Sequence, residues 1–305
     1  MTKPFDRPIL RVRRVKSALS TRIDSIPNRV FKLLRFYCYA VEEFGMHLQR
    51  LARRGTPTSE HRSFRNASGF QCSDFGYRPT AMYHREQPLQ LTTAPNAYCW
   101  ANRDFLDTDT GEIKSIFMPH CTALRLLITS MDSGIWLSSL QWLDRRNWDT
   151  WNINPAEDGG VFPMHVRSDK ARAAKTVYVS PGLRDLLKRE ECFQESFADA
   201  RSHAPAHYDG SESRFDQVHP LFREARSGMP IGERAYHRVW ERLMTDFERF
   251  YREHTGEHLV LPALPPNACR AIYQINHFDA RVLPCLVDML SHTDTFVATQ
   301  YMPPR

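Results

Sequence analysis

Between residues 234 and 253 the apolar side chains Tyr236, Val239, Trp240, Leu243, Met244, Phe247 and Tyr251 recur three or four positions apart. That spacing puts them on one stripe of an α-helix, with Arg, Glu and Asp on the opposite face. A helix of this kind holds only when its stripe is covered, so the rest of the chain must supply a core around it. The aromatics of the stripe are read as part of that core, not as a platform for stacking nucleotides.

Other segments supply the covering elements. Residues 28–53 carry Val30, Phe31, Leu34, Tyr37, Val41, Phe44, Leu48 and Leu51 at helical spacing, and stop at Arg53-Arg54-Gly55 with Pro57 close behind. Residues 119–130 and 137–145 fit two further helices. Two β-like runs, 161–166 and 175–179, read as a hairpin, although the segment between them lacks the usual Gly or Asn. Ser180 as N-cap and Pro181 in the first helical position then open a helix with Leu183, Leu186 and Leu187 on one face. Residues 1–24 read as a basic tail and 195–232 as a polar loop. The stretch 55–115, rich in Ser, Thr, Asn and Pro, reads as a linker or an irregular subdomain. After Pro262, Pro265 and Pro266, two or three short helices carry the sequence to its end.

Length and composition narrow the class. The 305 residues, 42% of them apolar, suffice for one large domain or two modest ones. No apolar run approaches the length of a membrane span, and the basic N-terminus has no apolar core behind it, so neither a span nor a signal peptide is expected. Cys38, Cys72, Cys99, Cys121, Cys192, Cys269 and Cys285 form no CxxC pair, which argues against a zinc ribbon or a disulfide scaffold and for a reducing cytosol. Of the net charge of +6, residues 1–60 contribute +8, from 13 Lys/Arg against 5 Asp/Glu. The basic arm around Arg13 and Arg14 suits a polyanion, since neutralising phosphates releases counterions; a solvated, partly disordered terminus accounts for it equally well.

Breaking and rejoining DNA without a metal would need a hydroxyl that attacks phosphorus and conserves the bond energy in a covalent intermediate. It would need fixed cations on the non-bridging oxygens and an acid for the departing 5′ oxygen. Tyrosine suits the first role, because phenoxide is also a fair leaving group. Arginine suits the clamp, because its planar fork grips two oxygens.

The C-terminal segment Leu290-Ser291-His292 is followed nine residues after the histidine by Tyr301, and Arg270 lies 22 residues before His292. Upstream, the hairpin carries Lys170 ten residues before Ser180. Further up, Leu126-Leu127-Ile128 leads to Gly134-Ile135-Trp136 and Leu137. In this order and spacing, residues 118–305 resemble the catalytic domain of tyrosine recombinases of the phage-integrase type. The resemblance implies a mainly α fold with a small β-hairpin or sheet. It divides the chain into a basic tail (1–24), a poorly defined helical N-terminal region (25–115) and an integrase-like catalytic domain (116–305).

The resemblance implies site-specific DNA recombination or integration for a mobile genetic element. Tyr301 would be the nucleophile of a 3′-phosphotyrosine intermediate, Arg270 and His292 would hold the phosphate, and Lys170 would protonate the leaving oxygen. Asn267, Arg172 and Lys175 would contact DNA, together with Arg13 and Arg14 of the tail. The implied partner is double-stranded DNA, bound by a homodimer or homotetramer. No cofactor, metal or membrane is implied, and the location expected is cytoplasmic, at the nucleoid.

Two positions depart from the family pattern. Trp136 stands where the first arginine belongs, with Ser139 at the acidic position after it, and Asn267 replaces the histidine of His-x-x-Arg. Asparagine still donates to phosphate, whereas Trp brings one neutral N–H and no charge. Arg145 and Arg146, expected two to three turns along the same helix, are too far from position 136 to replace it. The alternative is therefore a catalytically inactive, DNA-binding relative of an integrase. A third reading, an unrelated helical interaction protein, would hold if residues 160–180 were not a hairpin.

Overall fold

The computed structural model describes residues 28–55, 69–79, 82–84, 87–107, 110–149, 161–167, 174–208, 217–259 and 266. These form a mixed, mainly helical fold with small antiparallel sheets. Helix α1, Asn28–Arg53, follows the expected stripe from end to end. Val30, Phe31, Leu34, Tyr37, Val41, Phe44 and Leu48 are all buried, and Arg50 and Arg53 sit in the last turn, where the helix dipole favours cations. A single 3₁₀ turn, Cys72–Phe75, and a short hairpin of β1 (Met82–His84) and β2 (Gln87–Leu89) follow.

The stretch read as linker or irregular subdomain holds an eight-residue hairpin. Strand β3, Cys99–Leu106, pairs antiparallel with β4, Ile113–His120, from Cys99 opposite His120 to Leu106 opposite Ile113. Gly111, at φ 69°, donates its N–H to the Asp107 carbonyl and closes the turn. The strand pattern is broken by Arg103, which occupies a core position at 2% exposure. Its guanidinium lies 3.6 Å over the Phe197 ring and donates to the Ala225 carbonyl and Ser202 Oγ.

Helix α2, Thr122–Ser133, starts three residues later than expected, because Pro119 and His120 belong to the β4 ladder. It is the central helix: Ala123, Leu124, Leu126, Leu127, Ile128 and Met131 are all buried in one core with α1. Close approach is allowed by Gly45 on α1, where a Cβ would collide with Cys121 Sγ and the Tyr98 ring. Helix α3 is one turn, Leu137–Leu140, and not the expected helix 137–145. Past it the ladder tightens, with the Trp142 N–H donating to the Ser139 carbonyl and the Leu143 N–H to the Leu140 carbonyl, and the backbone of Leu143 and Arg145 then pairs with Leu221 and His219.

The expected hairpin is present. Strand β5, Phe162–Val166, pairs with β6, Lys175–Val179, in register from Phe162–Val179 to Val166–Lys175. Helix α4, Pro181–Glu195, follows directly, with Ser180 Oγ accepting from the Leu183 N–H at 3.3 Å. Residues 200–218 add a 3₁₀ turn, Ala200–Ser202, and the two-residue strands β7 (Ala206–His207) and β8 (Gln217–Val218). Helix α5, Glu233–Thr255, buries Tyr236, Val239, Trp240, Leu243, Phe247, Phe250 and Tyr251, and Gly256 closes it at φ 69°. Its Phe250 ring lies 4.8 Å from that of Tyr37, so the stripes of the two longest described helices meet in the core they share with α2. Among the described residues no helix is long and apolar enough to cross a membrane.

A buried ion network ties α1, α2 and α4. Arg125 on α2, 1% exposed, donates from Nε to Glu42 of α1 at 2.7 Å and from Nη1 to Glu190 of α4 at 2.8 Å. Glu190 also accepts from Thr122 at 2.8 Å and Gln194 at 2.6 Å, and Arg189 reaches Glu42 at 3.0 Å. A buried charge without partners is very costly, so these groups fix how the three helices meet.

The β3–β4 hairpin seats His120, 3% exposed, with its ring 5.4 Å from Phe193. Burial, reinforced by Arg103 and Arg125, pushes its pKa from 6.5 down to about 3. A histidine held neutral contributes stability that is complete above pH 6.5 and is lost as pH falls toward 3. Urea unfolding at a series of pH values should therefore show stability falling by up to ~1.4 kcal/mol per pH unit on acidification below 6.5. His120→Gln should flatten that slope; an unchanged slope would mean that His120 is not the titrating group.

Candidate nucleic-acid interface

The described part of the candidate interface begins where α2 ends. Gly134, at φ 67°, closes α2 through an N–H donated to the Ser130 carbonyl at 3.0 Å. Two residues later Trp136, half-buried and extended at φ −60° and ψ 136°, is the N-cap of α3. The glycine, the intervening Ile135 and the capping position form the local geometry that the sequence motif implied. Ser139, at the position of the family's acidic residue, is buried.

Beyond α3 the chain reaches Asp144, which is fully buried and pairs through its backbone with Pro220. Its carboxylate accepts from Arg146 Nη2 at 2.7 Å and Nε at 3.1 Å, while Arg167 Nη1 lies 3.5 Å away. Burial alone would raise the Asp144 pKa, but the Arg146 hydrogen bonds and charge, with Arg167, hold it below the usual carboxylate range. Asp144 therefore stays ionised and anchors two arginines, of which Arg146 remains half-exposed. Arg146 is thus not on the helix that Trp136 caps, which corrects the expected placement of Arg145 and Arg146.

Arg167 follows the last residue of β5, beside the final ladder pair Val166–Lys175. Lys175 accordingly opens β6 at the edge of the segment that joins the strands. From 167 to 175 the sequence carries four cations, Arg167, Lys170, Arg172 and Lys175, and one acid, Asp169. Of these cations Arg167 lies beside Asp144, and Lys175 opens β6. Nearby, His165 is held neutral by partial burial and by Arg167.

Lys170, Arg172, Asn267, Arg270, His292, Tyr301, Arg13 and Arg14 lie outside the described residues. Sequence reasoning missed Asp144 and Arg167, and set Arg146 aside. The one available signal was the run Asp144-Arg145-Arg146, which reads as an exposed helix end until the hairpin supplies Arg167. Among the described residues no group of three His, Cys, Asp or Glu is placed to hold a metal.

No family model and no curated protein matches the chain. Among solved structures, it is similar to the Tn1549 transposon integrase in complex with circular intermediate DNA, at 14% identity and a TM-score of 0.40 over 60% of this chain and 54% of that one. XerA recombinase aligns at 13% identity and a TM-score of 0.36, over 60% of this chain and 57% of its own. In both, the alignment spans little more than half the length of the solved chain. An arginine-to-lysine variant of the Tn1549 integrase, also bound to circular intermediate DNA, aligns over 99% of this chain and 91% of its own, at 12% identity and a TM-score of 0.38.

Proposed function

We propose that this chain is a tyrosine-recombinase-like protein that binds duplex DNA and breaks and rejoins it at specific sites for a mobile element. The observation that carries this reading is the β5–β6 hairpin running directly into the Ser180-capped α4, downstream of the helix start at Gly134 and Trp136. These come in the order in which Arg270, His292 and Tyr301 then follow in the sequence. In the proposed reaction the Tyr301 phenol gives up its proton to water as its oxygen attacks the scissile phosphorus. The bond to the 5′ oxygen breaks, a 3′-phosphotyrosine forms, and Lys170 gives the leaving oxygen its proton. Arg270 and His292 hold the non-bridging oxygens as negative charge builds on them. Rejoining reverses the step, with a 5′-hydroxyl displacing the phenoxide, so no outside energy source is needed. Assembly on DNA as a dimer or tetramer would bring two strands within exchange distance.

The experiment uses a pool of randomised duplexes nicked so that the cleaved strand diffuses away and traps the intermediate. The wild-type chain should yield a detergent-stable protein–DNA adduct that disappears in Tyr301→Phe. An adduct that survives in Tyr301→Phe would overturn the assignment of the nucleophile.

Trp136 favours a second reading, a DNA-binding relative that no longer cleaves. One missing oxyanion donor costs ~3–4 kcal/mol of transition-state stabilisation. On that reading duplex binding persists and no adduct forms.

A further inference from the structure

A cavity of about 270 Å³ lies between the open end of the β3–β4 hairpin, residues 223–226 and the first turns of α5. Its wall includes Cys99, His120, Arg223, Arg226, Arg238 and Arg242. The one acid in the wall, Glu224, accepts from Ser227 Oγ at 2.8 Å.

Arg223 is the decisive residue. It is 2% exposed, yet no carboxylate forms an ion pair with it among the described residues. Its Nη1 donates to the Gly228 carbonyl at 2.6 Å and the Arg201 carbonyl at 3.3 Å, while Nε and Nη2 have no partner among the described residues. Those two nitrogens form one edge of the guanidinium, the side-on fork that grips two oxygens of a single oxyanion. Burial, and then Arg145 and Arg103, lower the Arg223 pKa to about 10, so the group still carries its charge at neutral pH.

Two further observations point the same way. His120 Nε2, also in the wall and buried, has no partner among the described residues. Arg238 is exposed and belongs to no ion pair among the described residues, and Arg242 spends one donor on the Tyr98 carbonyl at 3.4 Å. Native proteins rarely leave buried donors idle, and a concave site with four arginines and one acid selects an anion.

We infer that this cavity binds a phosphoryl group, carried either by a mononucleotide or by the phosphorylated end of a DNA strand. Arg223 grips two of its oxygens through Nε and Nη2, His120 Nε2 takes part in a further hydrogen bond, and Arg238 and Arg242 close over the outer side. A volume just below the usual range for small-molecule sites, about 300 Å³ and up, admits a phosphate with its sugar. It does not admit a duplex side-on. The inference is independent of Tyr301 and of strand cleavage.

The test is isothermal titration of the full chain with inorganic phosphate, with a deoxynucleoside 5′-monophosphate and with the matching nucleoside. Phosphate and nucleotide should bind at up to about millimolar concentrations, and the nucleoside should not. Arg238→Ala, on the exposed rim, should weaken nucleotide binding by about tenfold. Arg223→Gln should abolish it in protein whose circular dichroism shows it folded. Competition with duplexes bearing a 5′-phosphate or a 5′-hydroxyl assigns the source. Displacement of the nucleotide by the phosphorylated end alone identifies a DNA terminus, and indifference to both duplexes identifies a free nucleotide. Equal binding of nucleoside and nucleotide, or unchanged affinity in Arg238→Ala, would overturn the inference.

Discussion

Replacing Arg125 with methionine is expected to destabilise the fold by ~3–5 kcal/mol, with a fall in Tm of roughly 10 °C. Methionine preserves the apolar stem but removes the one cation among the described residues that bridges Glu42 and Glu190, both fully buried. Glu42 keeps Arg189, which is 34% exposed and so partly screened. Among the described residues Glu190 keeps only the neutral donors Thr122 and Gln194. Burial already pushes the Glu190 pKa up against the pull of Arg125, so without that arginine the carboxyl should take up a proton on folding. Adding Glu42→Met and Glu190→Met should restore much of the loss, because a buried ion triad can give way to apolar side chains of similar size at little cost. Urea denaturation of the two variants makes the comparison. A loss below about 1 kcal/mol for Arg125→Met would mean that the network does not hold α1 against α2 and α4.

The second large effect concerns Trp136. If this position is the vacated site of a phosphate-gripping arginine, Trp136→Arg should raise the rate of covalent adduct formation by ~100–1,000-fold, the usual worth of one preorganised oxyanion donor. The local structure is ready to receive it. Trp136 is the N-cap of α3, held in place by Gly134 on one side and the buried Leu137 on the other, and is itself only half-buried. A long flexible side chain can therefore replace the indole without entering the core. Trp136→Phe removes the indole N–H without adding charge and should produce no gain. Single-turnover assays on a nicked duplex measure both. No rate increase in Trp136→Arg would contradict the reading of position 136 as the missing clamp.

What the sequence reveals depends on how local each feature is. Helix α1 is readable to its last residue because its stripe stops at Arg53-Arg54-Gly55. The β5–β6 hairpin and α4 are readable because a short β-run leads into Ser180 and Pro181, whose capping chemistry is local. The β3–β4 hairpin is not. Arg103 sits where the alternation calls for an apolar residue, and its contacts with Phe197, Ser202 and Ala225 lie about a hundred positions away. The premature end of α3 is hidden for a different reason: the backbone of Leu143 and Arg145 is claimed by Leu221 and His219, more than seventy positions away, against an otherwise acceptable helical pattern. Of the candidate interface, Trp136 and the hairpin can be found from spacing. The joining of Arg146 and Arg167 on Asp144 needs the third dimension, as does the meeting of Cys99, His120, Arg223 and Arg238 around one cavity.

The central proposal is that the cations of residues 167–175 engage the phosphates of duplex DNA, and the salt dependence of duplex binding tests it most directly. For the wild-type chain the logarithm of the association constant should fall linearly with the logarithm of salt concentration, by ~0.9 per phosphate neutralised. The triple variant Lys170→Ala, Arg172→Ala, Lys175→Ala should bind arbitrary duplexes more weakly and lose ~2–3 units of that slope. A variant that matches the wild type in both affinity and slope would contradict the account.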